Sequence, residues 1–111
     1  MTTTAFAYPS QLLPPLHQTH ELKTWPACFR AVEASQKTFD VRQDDRHFEV
    51  GDALILEEYE PETEQYTGRR TTRWISYVLR GGQFGIEAGW CVLGFSAQPP
   101  LPPGITDTKL W

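Results

Sequence analysis

The spacing of hydrophobic and polar positions changes several times along the 111 residues, and each change marks an element. The first is a short helix. Thr24 is placed to cap it, and Pro26 falls in the first turn, where a missing N–H costs little. Trp25, Phe29 and Val32 recur at helical spacing and are expected to face the core, and the helix should end near Ser35. From Thr38 to Arg42 the period drops to two, with Phe39 and Val41 on one face and Thr38, Asp40 and Arg42 on the other, as in a half-buried strand. A polar loop and a turn at Val50-Gly51-Asp52 lead to the apolar run Ala53-Leu54-Ile55-Leu56, which reads as a buried strand continuing to Tyr59. Glu60 to Gln65 forms a hairpin connection. Tyr66 to Leu79, rich in Thr, Trp, Ile, Tyr and Val, is one long strand or two joined by a bend, and Gly81-Gly82 ends it. Trp90 to Phe95 is the last strand.

Short turns between consecutive strands favour antiparallel pairing, and few, curved strands bury a core best as a small, partly closed barrel. The expected fold is therefore α+β: a small, mostly antiparallel barrel with one or two short helices. The domain should occupy residues 19–96. Residues 1–18 and 97–111, with Pro9, Pro14 and Pro15 in one and Pro99, Pro100, Pro102 and Pro103 in the other, read as tails. Leu12, Leu13, Leu16, Leu101 and Trp111 are the tail residues suited to dock on the domain or a neighbour.

Composition narrows the function. No run approaches the roughly 18 apolar residues of a membrane span, and the first ten residues lack the basic and apolar regions of a secretory signal, so a cytoplasmic protein with no membrane partner is expected. Cys28 and Cys91 are too few for a disulfide framework and read as buried, reduced thiols. No His/Cys/Asp spacing suggests a metal, and no glycine-rich phosphate loop is present, so neither a metal nor another cofactor is expected. A net charge of −4 limits the size of any nucleic-acid footprint without excluding a small one. The charge is unevenly spread: Glu57, Glu58, Glu60, Glu62 and Glu64 precede Arg69, Arg70, Arg73 and Arg80, so a locally basic cleft is compatible with the acidic whole.

Three spots carry candidate chemistry. Lys37, Asp40 and Arg42 put a cation, an anion and a planar guanidinium within six residues, against the alternative of a solvated face with a weak ion pair. Lys23 lies upstream, three residues from His20. Tyr66-Thr67-Gly68-Arg69 offers a hydroxyl and a guanidinium for an anion, and Gln83-Phe84-Gly85 a base-edge donor and acceptor beside a stacking ring. The last two have structural alternatives, a turn beside solvated arginines and a loop with Phe84 plugging the core.

Together these blocks resemble a family. His20-Glu21-Leu22-Lys23, Lys37-Thr38-Phe39-Asp40-Val41-Arg42, Asp45-Arg46-x-Phe48-x-Val50-Gly51-Asp52, Tyr66-Thr67-Gly68-Arg69 and Gln83-Phe84-Gly85-Ile86 resemble, in order and spacing, a small family of phage and bacterial proteins in the ASCH superfamily of PUA-like folds. The resemblance covers about residues 20–95 and implies a barrel with a cleft beside the helix and the Lys37–Arg42 strand. It also implies RNA-related roles. One ASCH branch removes the acetyl group from N-acetylated cytidine nucleosides; Lys37 and Arg42 match its site strand, but Asp40 stands where that branch has a threonine. The leading expectation is a nucleotide- or RNA-binding module, with RNA, single-stranded nucleic acid or a nucleoside as partner. Lys23, Lys37, Asp40, Arg42, Arg46, Thr67, Arg69, Gln83 and Phe84 are its candidate ligand-binding residues. The alternative is an amidohydrolase acting on a modified cytidine, with Lys37 and Asp40 catalytic. A third reading is a protein partner at the acidic hairpin 57–64.

Overall fold

The computed structural model describes residues 17–101. Expectations that concern Leu12, Leu13, Leu16, Trp111 and the prolines before residue 17 or after residue 101 lie outside the described residues. Six elements follow one another: β1 (Thr19–Thr24), α1 (Pro26–Glu33), β2 (Phe39–Gln43), β3 (Ala53–Glu60), β4 (Gln65–Arg80) and β5 (Trp90–Ser96). The strands form one sheet in the order β1-β3-β4-β5-β2, curled into a half-barrel. The expectation of a small, strand-dominated α+β domain with a barrel-like sheet therefore holds, and of the one or two short helices expected one is present among the described residues. β3, β4, β5 and β2 pair antiparallel in succession, whereas β1 lies parallel to β3.

β1 was not expected as a strand. Its inward side chains are His20, Leu22 and Thr24, so no apolar alternation announces it. His20 is accommodated by a buried partner. Its Nε2 lies 2.8 Å from Asp52 Oδ2, and its ring meets Phe48 edge-on at 4.8 Å. Asp52 also accepts the backbone N–H groups of Gln18 (3.0 Å) and Glu49 (3.1 Å), so the turn before β3 is tied to the start of β1. The parallel pairing of β1 and β3 follows from the connection between them. It contains α1 and β2, long enough for a crossover and too long for a hairpin.

α1 begins one residue later than a Thr24 cap would place it. Thr24 ends β1 with its hydroxyl donating to Leu22 O, and Trp25 takes the cap position in extended conformation with no side-chain bond. Pro26 then supplies the first helical residue. Phe29 and Val32 are buried as expected, but Trp25 is half-exposed and faces away from the core. The helix ends at Glu33. Ser35 adopts φ 59°, and the N–H groups of Gln36 and Lys37 fold back onto Ala31 O.

In β2 the expected faces are inverted. Phe39 and Val41 are 45% and 50% exposed, whereas Asp40 is buried. Among the described residues β2 pairs only with β5, and its inward Asp40 and Arg42 meet the β1 edge across the gap and not the apolar core. That core is built from α1, β1, β3 and β5, with Ile75 of β4 and Phe48 of the loop after β2, and Leu22, Phe29, Phe48, Leu54, Leu56, Leu93 and Cys91 are fully enclosed. β4 is a single strand of 16 residues, bent by an irregularity between Ile75 and Tyr77. No helix of the described residues is long and apolar enough to cross a membrane.

Asp52 carries a pH dependence. Burial works against its charged form, but hydrogen bonds from the Gln18 backbone, His20 and the Glu49 backbone, with the charge of His20, outweigh it and hold the carboxyl below its usual range. A lowered folded-state value means this stabilisation is complete above about pH 4 and is lost as the pH falls further. Asp52→Ala is expected to cost about 3 kcal/mol at neutral pH, because it strands buried donors. Denaturant melts should show the gap between wild type and variant narrowing as the pH drops from 5 to 2. A constant gap would contradict the assignment.

Candidate functional site

Among the described residues the two edges of the half-barrel, β1 and β2, are not joined by a backbone ladder. Arginine side chains bridge them. Arg42 Nε donates to Asp40 Oδ2 at 2.8 Å, and its Nη2 donates to Lys23 O at 2.8 Å and lies 3.4 Å from the Thr24 hydroxyl. Arg46, in the loop after β2, donates from Nη1 to Glu21 O at 2.9 Å. Both therefore cap carbonyls that an edge strand otherwise leaves to solvent. Asp40 Oδ1 in turn accepts from Lys37 Nζ at 3.0 Å and from the Val41 backbone at 3.2 Å. The Lys37-Asp40-Arg42 cluster anticipated from spacing is thus a connected network whose side chains are 13–23% exposed.

A cleft of about 510 Å³ opens beside this seam, between the end of β1, the start of α1 and β2. Lys23, Asp40 and Arg42 line it, as do Thr24, Trp25, Cys28, Val41, Gln43 and Trp90. Trp25 and Trp90 are 50% and 38% exposed, so the cleft has two accessible indoles. From helical spacing Trp25 is expected in the core, and Trp90 only heads a strand; both instead open into the cleft. Cys28 is half-buried in the cleft wall, against the expectation of an enclosed thiol, while Cys91 is fully buried. Burial, with Asp44 nearby, pushes the Cys91 thiol up, against the pull of Arg80. Lys23 Nζ lies 4.1 Å above the Tyr59 ring and forms no ion pair among the described residues.

The other candidates lie elsewhere. Thr67 donates to Glu58 Oε1 at 2.8 Å, and Arg69 pairs with Glu33 of α1 and, at 3.8 Å, with Glu58. The Tyr66–Arg69 block thus clamps the β3–β4 hairpin to the helix. Gln83 donates to Arg80 O at 2.8 Å, and Phe84 is 82% exposed at φ 53° in the loop before β5. Neither lines the cleft. In the acidic run, Glu57 pairs with Arg70 at 3.2 Å and Glu58 is buried, so Glu60, Glu62 and Glu64 remain as the outward charges of the hairpin. A second hollow, of about 630 Å³, is lined by Val50, Trp74, Ser76, Ser96, Gln98 and Leu101, among others, and none of the described residues that line it is charged.

Residues 19–95 match the model of a family described as "Domain of unknown function (DUF3850)". The chain belongs to the DUF3850 family. None of the curated proteins matches it. The span that matches DUF3850 runs from the first residue of β1 to the penultimate residue of β5, so it contains every residue that lines the cleft.

The seam gives this DUF3850 domain an unequal dependence on its arginines. Arg42→Ala is expected to destabilise by about 2 kcal/mol, since it removes charge-assisted bonds in a partly buried network, and Arg42→Lys should recover little because one ammonium replaces a fork. Arg46→Ala, at an exposed contact, should cost about 0.5 kcal/mol. Urea melts measure both. Equal losses would contradict the assignment of Arg42 as the main bridge.

Proposed function

We propose that the protein is a nucleotide- or RNA-binding module of the PUA-like, ASCH kind, acting in the cytoplasm and holding a base in the cleft beside the β1–β2 seam. One observation carries this reading: two accessible indoles, Trp25 and Trp90, line the same cleft as Lys23, Asp40, Arg42 and Gln43. A nucleobase is a flat apolar ring with a polar rim, and a cleft that takes it needs a stacking surface and donors and acceptors at fixed height. Gln43 supplies both donor and acceptor. The seam supplies fixed polarity, because Asp40 and Arg42 are held by each other and by the β1 backbone. The Lys23 ammonium, without a carboxylate partner among the described residues, is the cation nearest to hand for a phosphate.

The roles differ from those expected from sequence. Arg42 and Arg46 brace the fold, so phosphate contact passes to Lys23, and stacking inside the cleft passes from Phe84 to Trp25 and Trp90. With few cations at the cleft and an acidic protein around it, binding depends on the base more than on a phosphate track, and salt weakens it little.

A second reading has one observation in its favour. Lys37, which does not itself line the cleft, holds its Nζ 3.0 Å from Oδ1 of the cleft-lining Asp40, a Lys–carboxylate pair of the type that could direct water at an N-acetyl carbonyl, releasing acetate and the free cytidine amine. Incubation with N-acetylcytidine, followed by chromatography, checks it: product that disappears with Lys37→Ala favours turnover, and unchanged substrate favours binding alone.

Isothermal titration with nucleosides, nucleotides and short single strands tests the main proposal. Wild type is expected to bind at least one of them, Trp25→Ala about tenfold more weakly, and Phe84→Ala as wild type does. The same ligand should slow alkylation of Cys28, which shares the cleft wall. Absence of heat and of Cys28 protection up to millimolar ligand would overturn the reading.

A further inference from the structure

The aromatic surface does not stop at the mouth of the cleft. Trp25 stacks on Tyr59 of β3, with ring centroids 5.8 Å apart and planes 26° from parallel, and Tyr59 meets Tyr66 of β4 edge-on at 4.9 Å. Tyr59 and Tyr66 are direct cross-strand partners, so the register of the β3–β4 hairpin fixes this order. Lys23 spans the join, lining the cleft while its ammonium lies over the Tyr59 ring. The result is a row, Trp25-Tyr59-Tyr66, that leads out of the cleft along the hairpin. Mutual packing explains the partly buried middle ring, but Trp25 and Tyr66 at the two ends are 50% and 54% exposed. Aromatic rings exposed at the two ends of a row beside a base-sized cleft are surfaces on which bases can stack.

We propose that the ligand is a short single-stranded oligonucleotide, one base held in the cleft and the next one or two stacked outward along Trp25 and Tyr66. This rests on the reading of the cleft as a base site and adds the ligand's length and path. The far end of the row also sets a limit. Tyr66 adjoins the hairpin turn that carries Glu60, Glu62 and Glu64, with Glu60 opposite Gln65 in the register. A phosphate chain that ran on past Tyr66 would meet those carboxylates, so the footprint ends at about three nucleotides. The acidic hairpin thus acts as a stop at the end of the strand's path.

The experiment compares adenosine monophosphate with the matching di-, tri- and hexanucleotides, by titration calorimetry at fixed salt. Wild type, Tyr66→Ala, Tyr66→Phe and the combined E60Q, E62Q, E64Q variant are each tested after a thermal melt has confirmed folding. Wild type is expected to bind the trinucleotide about tenfold or more tighter than the monophosphate, with no further gain for the hexanucleotide. Tyr66→Ala should abolish that gain and leave monophosphate affinity intact, and Tyr66→Phe should retain it. The triple glutamine variant should bind the hexanucleotide several-fold tighter than wild type does. Equal affinity for monophosphate and trinucleotide, or a gain that survives Tyr66→Ala, overturns the extension and leaves the cleft reading standing. Failure of every nucleotide to bind overturns both.

Discussion

An open sheet that curls toward a barrel must do something with its two edges, and here the guanidinium of Arg42 meets that constraint. It holds Asp40 on its own strand and the Lys23 carbonyl on the opposite edge, so a side chain takes the place of a backbone ladder between β2 and β1. Arg46 repeats the contact on the Glu21 carbonyl. A ladder would have closed the wall and left no opening. A side-chain bridge leaves room beside it, and that room is the cleft. The polar residues in its wall are there because the seam needs them, which is how a site with fixed charges arises from the closure of the fold itself.

The second anchor acts on the other side of β1. His20 and Asp52 are both buried and joined at 2.8 Å, and Asp52 gathers two backbone donors as well. β1 is thus held along one edge by its parallel pairing to β3, from its inward face by the Asp52 network, and along its free edge by the arginines. Lys23 and Trp25 lie at the end of a strand fixed in these three ways. Their positions over Tyr59 and at the cleft mouth follow from that fixation, which gives the aromatic row a defined starting point.

Much of this was legible in the sequence where a residue's chemistry and its burial agree. The runs Ala53 to Tyr59, Tyr66 to Leu79 and Trp90 to Phe95 are rich in apolar or β-branched residues and all three are strands; β3 and β5 bury alternate side chains in the core, whereas β4 buries Ile75 alone. The Lys37-Asp40-Arg42 spacing identified a cluster that is indeed connected, and Lys23 reaches the same cleft. The pattern misled where polar groups are buried with partners. β1 hides His20 and Thr24 inward, and β2 turns Asp40 inward and Phe39 outward, because long-range contacts with Asp52 and with the β1 edge decide both. No local period encodes a partner 19 or 32 residues away. For the same reason Arg46, Thr67 and Arg69 read as free ligand-binding groups, although each has a partner elsewhere in the chain.

The account stands on the two indoles that open into the cleft, and the four tryptophans give a direct view of them. Trp74 lines the uncharged hollow instead, so it serves as an internal control. The most direct measurement is a titration of the protein with nucleotide, followed through the indole N–H resonances in a nitrogen–proton correlation spectrum. The account predicts that the Trp25 and Trp90 signals move together and saturably while Trp74 stays in place. Four unmoved signals, or movement of Trp74 alone, would contradict it.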